Sequence, residues 1–222
     1  QGYYKRPFER TDFKNPAARA LVHEALGTVD LYMETFGQTI PDALREFFQD
    51  HPKMALAFSG GTDSAYLLYA ARACGCHVQA YYAASPFQPA FELEDAKKLA
   101  VSLEAEMTIL PLNVLELSAV RENPSDRCYH CKNAIFSRIL EAAEKDGFQE
   151  VMDGTNASDD AGDRPGMRAL RELRVLSPLR ICGVTKKALR EYSRNAGLFT
   201  WNKPAYACLA TRVPTGCYID QE

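Results

Sequence analysis

The segment that decides the fold is Lys53-Met-Ala-Leu-Ala-Phe-Ser-Gly-Gly-Thr-Asp-Ser64. Its first six residues form a compact apolar run of strand length, and residues 64–72 have a helix-like pattern. Because Gly60 and Gly61 have no Cβ, their backbone amides can approach an anion closely. The N-terminus of the following helix adds free N–H groups and a favourable dipole. The segment therefore predicts a strand, a phosphate-binding loop and a helix.

This loop differs from two common nucleotide-binding motifs. It lacks the lysine of the G-x-x-x-x-G-K-[ST] loop and the glycine spacing of G-x-G-x-x-G, so both fingerprints are excluded. The alternative is a strand-to-helix turn that is rich in small residues by chance. We disfavour that alternative because the loop falls where an α/β sheet places its anion site.

Strand-like and helix-like segments alternate on the C-terminal side of this loop. This alternation predicts a doubly wound, mostly parallel sheet with helices on both faces. Ligands bind beyond the carboxyl ends of such strands, so we expect the loops at Ser59 and Asp153 to lie together. The further strands are predicted at 78–83, 106–110 and 149–152, and the further helices at 91–103, 132–143 and 185–195.

The chain divides into three predicted parts. Residues 1–50 form an arm and a helical extension, with helices from Ala17 and from Pro41. Residues 51–200 form the α/β domain. Residues 201–222 begin a C-terminal region that we expect to be truncated.

Composition excludes several classes of protein. The 222 residues are 46% hydrophobic and carry a net charge of −3, which gives no global positive field for nucleic acid or an anionic membrane. The apolar stretches are far shorter than the roughly 18 residues of a membrane span. The seven cysteines are an odd count without an apolar signal segment, so we expect a cytoplasmic protein. In that setting, cysteine pairs serve metal binding or catalysis more often than cross-linking.

Cys128 and Cys131 have the two-residue gap that lets both thiolates face one metal or cluster, and Cys208 can add a third ligand. Three thiolates leave one position open, as in a [4Fe-4S] cluster with an exposed iron. Structural zinc would need a fourth ligand. The candidates for it are His130, Cys182 and Cys217. The alternative is a pair of ordinary thiols at the start of a helix.

Cys208 is also a candidate nucleophile. Lys203 and Arg212 are close in sequence, and cations favour the thiolate form. The alternative is a buried, inert thiol.

Residues 153–166 form a run of turn-forming residues and carboxylates, predicted as one long functional loop. Its polar side chains can position a metal, a ribose or a substrate, and nearby arginines suit a phosphate or carboxylate. The polar side chains are Asp153, Asn156, Asp159, Asp160 and Asp163, and the arginines are Arg164, Arg168 and Arg212. The alternative for any one of these carboxylates is a solvated surface position.

Four segments, 59–64, 126–132, 153–170 and 203–212, together resemble the LarE family of ATP-dependent sulfur transferases. The resemblance covers about 53–219, and the S-G-G-x-D-S loop resembles that of the PP-loop ATP pyrophosphatase superfamily. It implies adenylylation of a carboxylate of pyridinium-3,5-biscarboxylic acid mononucleotide. Sulfur then replaces AMP to give a thiocarboxylate, in the biosynthesis of the nickel-pincer nucleotide cofactor.

The resemblance also implies roles for individual residues. ATP and Mg²⁺ would be bound by Ser59, Gly60, Gly61, Asp63, Ser64, Asp153, Gly154, Thr155, Asn156, Arg164 and Arg168. The catalytic residues would be Cys208, Asp63 and Arg212. Cys128, Cys131 and Cys208 would hold a [4Fe-4S] cluster, with zinc as the alternative metal. The sulfur comes either from Cys208, which becomes dehydroalanine, or from cluster-bound sulfide, and the three cysteines favour the cluster.

Other interpretations stay open from the sequence. One is another PP-loop enzyme, such as a tRNA thiolase or a zinc-containing deazaguanine synthase. A tRNA enzyme would need a basic, aromatic-rich face, of which a net charge of −3 gives little sign. Another is a non-catalytic nucleotide- or metal-binding module. The expected partners are the pyridinium mononucleotide and sulfide or another sulfur donor, without nucleic acid or membrane. We expect a homo-oligomer whose size the sequence does not give.

Overall fold

The computed structural model describes residues 39–159 and 165–220, and these residues contain one four-stranded, parallel sheet. Its strands are β1 (Lys53–Ala57), β2 (His77–Ala84), β3 (Met107–Pro111) and β4 (Val151–Met152), in the order β3-β2-β1-β4. All three strand pairs are parallel, with Leu56 opposite both Ala80 and Met152. The predicted α/β fold is confirmed.

The five helices predicted within the described residues are present in the predicted order, together with three further helices. They are α1 (Asp42–Asp50), α2 (Thr62–Ala73), α3 (Ala90–Ser102), α4 (Ser118–Arg121), α5 (Arg127–Lys145), α6 (Pro165–Glu172), α7 (Pro178–Ile181) and α8 (Lys186–Asn195). Of these, α4, α6 and α7 are the three helices that the sequence did not predict. Short 3₁₀ helices occupy Val114–Glu116 and Leu209–Arg212. None of the helices at 39–159 and 165–220 has both the length and the apolar character of a membrane span.

Helices cover both faces of the sheet because successive strand residues point to opposite sides. Met54 and Leu56 of β1 belong to a buried cluster that includes residues of α1, α2, α3 and α8. Ala55 between them belongs to a second cluster with Ile139 and Ala143 of α5. Burial of both faces explains why β1 is a continuous apolar run rather than an alternating one.

Two loops meet where the strand order reverses. The chain proceeds from β1 outward through β2 to β3, whereas β4 pairs on the other side of β1. A Cβ on Gly154, after β4, would lie 3.0 Å from the backbone nitrogen of Ser64 and 3.2 Å from the Cβ of Asp63. The loops after β1 and β4 are therefore in close contact at the switch point, as the sequence predicts.

Some boundaries differ from the predictions. Helix α5 begins at Arg127 rather than at 132, so Cys128 and Cys131 lie in its first turns. Residues 153–166 are not one continuous loop, because α6 begins at Pro165. Pro41 has an extended backbone and precedes α1 as its N-cap.

Helix α1 packs on the core through Leu44 and Phe48. The helix predicted from Ala17 lies outside the described residues, and the three predicted domain ranges stay predictions.

Candidate active site

The loop between β1 and α2 is held by its own hydroxyl groups. The Oγ atoms of Ser59 and Ser64 are 3.1 Å apart, and the backbone N–H of Ser59 donates to Ser64 Oγ at 3.3 Å. The backbone N–H of Gly61 donates to Ser59 Oγ at 3.4 Å, and Ser64 Oγ donates to the Gly61 carbonyl at 3.3 Å. These bonds fix a tight turn whose N–H groups precede the first turn of α2.

Gly60 is required by packing as well as by its backbone conformation. Its φ is +70°, a region that favours glycine, and an added Cβ would lie 2.8 Å from the Cβ of Ala96 on α3. Gly61, in contrast, has a φ of −78° and lines a cavity above the sheet. Of the two glycines, Gly61 presents its backbone to the cavity, whereas Gly60 makes room for α3.

A cavity of about 440 Å³ lies beside this loop and contains the predicted thiols as well. Ser59, Gly61 and Asp63 of the loop form part of its wall. Cys128, Cys131 and Cys208 form another part of the same wall. A cavity of this size suits a small organic ligand. The sequence therefore predicted two groups of residues, 59–64 and the three cysteines, that the fold brings to one site.

The described part of the cavity wall is rich in positive charge. It contains four basic side chains, Arg127, Lys132, Lys186 and Lys203, against the carboxylates of Asp63 and Glu92. Lys203 Nζ is 2.8 Å from Asp95 Oδ2, and Lys186 Nζ is 2.5 Å from Asp63 Oδ2. Burial raises the pKa of Glu92, Lys203 lowers it, and Asp95 raises it further. The excess of cations suits an anionic ligand such as a nucleotide.

Lys186 is a site residue that the sequence analysis missed. It lies 123 positions from Asp63 in the chain and is the first residue of α8. The residue before it, Thr185, accepts a hydrogen bond from the Ala188 N–H through its side chain. Thr185 is therefore the N-cap of α8. A cation at a helix N-terminus opposes the helix dipole, and this local conflict is the signal that could have marked Lys186.

The residues after β4 support Asp63 from behind the cavity. The Nδ2 group of Asn156 donates to Asp63 Oδ1 at 3.3 Å. Asp153 is buried and accepts from Thr155 Oγ1 at 2.5 Å and from Ser177 Oγ at 2.6 Å. The described cavity wall includes Asp63 but not Asp153, Gly154, Thr155, Asn156 or Ser177. Their observed contacts hold the loop after β4 and orient the Asp63 carboxylate.

The pKa values of two of the thiols are raised, whereas the sequence led us to expect that cations favour the thiolate form of Cys208. Burial, together with the nearby Cys208 and Cys128, raises the pKa of Cys131 to about 12, and the cations of Arg127 and Lys132 oppose this rise. Burial in the cavity wall also raises the pKa of Cys208, although its residue has exposed surface. The cation that lowers the Cys208 pKa is Arg127. The expectation that Lys203 and Arg212 favour the Cys208 thiolate is wrong for this arrangement, because they interact with Asp95 and Tyr206 instead.

Among residues 39–159 and 165–220, no three His, Cys, Asp or Glu side chains are arranged to hold one metal ion. In a [4Fe-4S] cluster each cysteine binds a different iron, so the thiols stand further apart and three leave one iron open. Cys128, Cys131 and Cys208 provide that number of thiols and lie in one cavity wall.

The candidates for a fourth zinc ligand have other surroundings. His130 Nε2 is 3.3 Å from Asp126 Oδ2, and Cys182 Sγ donates to the Ala43 carbonyl. Cys217 is exposed and outside this wall. Both the cluster and zinc stay predictions.

Two of the predicted arginines lie outside the cavity wall. Arg168 on α6 stacks over the Tyr129 ring at 4.1 Å, and its Nε is 3.8 Å from Glu172 Oε1. Arg212 donates to the Tyr206 hydroxyl at 2.6 Å. Arg164 lies outside the described residues. Arg212 is connected to the cavity through Tyr206, which is part of the wall.

The parallel sheet, its switch point and the loop of residues 59–64 define an α/β protein of the PP-loop ATP pyrophosphatase type.

No family model matches the chain. An uncharacterized protein of Synechocystis sp., slr1717, is 34% identical over 180 residues, which are 81% of this chain and 67% of that protein. The pyridinium-3,5-bisthiocarboxylic acid mononucleotide synthase of Lactiplantibacillus plantarum is 31% identical over 176 residues, covering 78% and 64%.

A further relative is the uncharacterized protein MJ0830 of Methanocaldococcus jannaschii, 30% identical over 169 residues, covering 76% of this chain and 64% of that protein. The chain therefore spans about two thirds of the length of these curated relatives. It belongs to the LarE family, as its four sequence segments indicate.

Proposed function

We propose that the protein is an ATP-dependent sulfur transferase of nickel-pincer nucleotide cofactor biosynthesis. Its substrate would be pyridinium-3,5-biscarboxylic acid mononucleotide, and its product the corresponding thiocarboxylate. The observation that carries this proposal is the cavity that the phosphate loop shares with Cys128, Cys131 and Cys208. The printed name of the Lactiplantibacillus plantarum relative supports the choice of substrate.

The first half of the reaction activates the acid. A carboxylate is a poor electrophile until its oxygen belongs to a good leaving group. A substrate carboxylate oxygen would attack the α-phosphorus of ATP, and the bond to the β-phosphate would break to release pyrophosphate. The N–H of Gly61 and the hydroxyl of Ser59 suit the leaving phosphates, and Lys186 and Lys203 would balance their charge. Asp63 is suited to hold Mg²⁺, which would neutralise triphosphate charge.

The second half replaces AMP with sulfur. A sulfur nucleophile would form a bond to the activated acyl carbon, and the bond from that carbon to the AMP oxygen would break. Cys128, Cys131 and Cys208 would hold the [4Fe-4S] cluster, which supplies sulfide when bound. The alternative source is the Cys208 thiol itself. After its sulfur has bonded to the acyl carbon, a base would take the Cα proton of Cys208 and the Cβ–Sγ bond would break, which leaves dehydroalanine and the thiocarboxylate.

Cys208→Ala tests the proposal by separating its two halves. We expect this variant to release pyrophosphate and form the adenylate, because the loop of residues 59–64 is intact, but to give no thiocarboxylate. Both products are measured by mass spectrometry with purified substrate, ATP, Mg²⁺ and a sulfide source. Cys217→Ala, at an exposed cysteine outside the cavity wall, is the matched control. An unchanged thiocarboxylate yield in Cys208→Ala would contradict the proposal.

The sulfur source has its own measurement. Anaerobically purified protein with about four iron and four sulfide per chain would support the cluster. A Cys208 peptide that has lost H₂S after one turnover would support the sacrificial route instead. A cytoplasmic location and a homo-oligomeric state remain part of the proposal.

A further inference from the structure

Arg127 connects the two segments that carry the three thiols. It is the first residue of α5, directly before Cys128, and it is only 9% exposed. Its Nη1 group donates to Asn123 Oδ1 at 2.6 Å and to the Ala210 carbonyl at 2.8 Å. Its Nη2 group donates to Cys128 Sγ at 3.7 Å. One guanidinium therefore contacts the C-x-x-C helix and the backbone two residues after Cys208.

Asn123 extends this connection to the residues that follow. It is 1% exposed, and its φ of +53° is one that asparagine tolerates better than most residues. Its Nδ2 group donates to the carbonyls of Val213 at 3.2 Å and Pro214 at 2.8 Å. Its own carbonyl accepts from the N–H of Gly216 at 2.8 Å. Buried side chain and backbone groups thus hold a segment that has no strand pairing of its own.

We infer that Arg127 and Asn123 are positioning residues that hold Cys208 in register with Cys128 and Cys131, so that the three thiols converge on one ligand. The inference rests on the proposed function for the identity of that ligand. The planar guanidinium group of arginine can donate to Asn123, Ala210 and Cys128 at the same time, whereas the single ammonium group of lysine cannot reach all three. Because Asn123 and Ala210 are buried, loss of the guanidinium leaves an amide oxygen and a backbone carbonyl in the interior without their donor.

The test uses a ligand that requires three thiols but no iron, no sulfide and no catalysis. Arsenite binds three thiols with release of three water molecules and without a change of oxidation state. In reduced, metal-free wild-type protein we expect one arsenite per chain, bound once rotation about the Cα–Cβ bonds of Cys128, Cys131 and Cys208 has brought their sulfur atoms together on one arsenic. Arg127→Lys, which keeps the charge, should weaken this binding by on the order of tenfold or more, because the third thiol is no longer held near the other two. Binding is measured by isothermal titration, and the bound thiols by their protection from alkylation.

Two further variants separate positioning from a general loss of structure. Asn123→Gly removes the side-chain contacts while keeping a residue that adopts positive φ without strain, and it should weaken arsenite binding like Arg127→Lys. Arg138→Lys, on an exposed face of the same helix, should bind like the wild type. Far-ultraviolet circular dichroism should show all variants folded at the assay temperature.

The outcomes separate the positioning role of Arg127 and Asn123 from the proposed sulfur-transfer reaction. Wild-type affinity in Arg127→Lys and Asn123→Gly, or a wild-type protein that protects Cys128 and Cys131 but leaves Cys208 reactive, would overturn the inference. Wild-type protection of all three thiols, lost in both variants, supports it even if the enzyme forms no thiocarboxylate. Protection of all three thiols in a protein that forms no thiocarboxylate would contradict the proposed reaction but support the three-thiol site.

Discussion

The two walls of the cavity are built in different ways. The phosphate loop is formed within six residues, and its hydroxyl and backbone groups bond to one another between a buried strand and a helix. The thiol wall is the part of the cavity wall that contains Cys128, Cys131 and Cys208. Here the buried side chains of Asn123 and Arg127 connect helix α5 to a segment about 80 residues further along the chain. A short motif can therefore specify the first wall, whereas the second depends on the completed fold.

This difference predicts how each wall responds to mutation. In the phosphate loop, backbone conformation and the space for α3 are decisive, so a change as small as one methyl group matters. In the thiol wall, the position of Cys208 depends on polar contacts that span the domain. The predictions below test this distinction, beginning with the largest expected effect.

Gly60→Ala should have the largest effect. The added Cβ must tolerate a φ of +70° and a 2.8 Å approach to Ala96, which together cost about 2 to 4 kcal/mol of unfolding free energy. The displaced loop should lower the rate of AMP formation about a hundredfold. Urea unfolding and a pyrophosphate-release assay measure the two effects.

Gly75→Ala is the matched control for this change. Gly75 has a φ of +79° but nothing within 4 Å of an added Cβ, so only the backbone cost of about 1 kcal/mol applies. Equal losses of stability in the two variants would contradict the role of the contact between Gly60 and Ala96.

Lys186→Met should have the next largest effect on the reaction. It removes the cation 2.5 Å from Asp63 and leaves phosphate charge less balanced, so kcat/KM for ATP should fall on the order of a hundredfold. Thiol protection by arsenite should not change, because Lys186 lies on the phosphate side. Lys187→Met, at the exposed neighbouring lysine, serves as the control. A smaller effect for Lys186→Met than for Lys187→Met would exclude Lys186 from the site.

Glu92→Gln should have the smallest effect, and its sign depends on pH. Burial raises the pKa of the folded carboxyl group, so the folded state binds its proton more tightly than the unfolded state. The charged carboxylate therefore costs stability as pH rises through the folded pKa, and this cost is absent below the unfolded pKa. We expect Glu92→Gln to stabilise the protein at pH 7 by less than about 1 kcal/mol, and not at pH 3 to 4. Destabilisation at pH 7 would indicate that its contact with Lys203 outweighs the burial.

The sequence predicted the parts of the fold that depend on local pattern. The apolar run of β1, the small residues of the loop and the helical spacing after Thr62 all lie within one short segment. The two-residue gap between Cys128 and Cys131, with Cys208 as a third ligand, predicted the thiols, and the resemblance to LarE proteins supported them. The structure brings these thiols to the same cavity as the loop.

The rest depends on contacts between distant residues. Arg127 was part of a recognised segment, but its bond to the Ala210 carbonyl spans 83 positions and has no local signal. The same holds for Lys186 and Asp63. Lys203 and Arg212 were expected to act on Cys208 because they are close in sequence, yet their side chains are directed to Asp95 and Tyr206. Sequence proximity therefore misidentified the cation that acts on the Cys208 thiol.

The most direct test of the shared cavity is chemical labelling with a stable mimic of the acyl-adenylate. In 5′-O-[N-(chloroacetyl)sulfamoyl]adenosine, an electrophilic carbon takes the place of the activated acyl group, and a thiol displaces its chloride. If the nucleotide site and the thiols face the same space, this compound should alkylate Cys208 in the metal-free protein, ATP should prevent it, and exposed Cys217 should react no faster than with chloroacetamide. Labelling of Cys208 that ATP does not slow, or equal labelling of Cys217 and Cys208, would contradict the account.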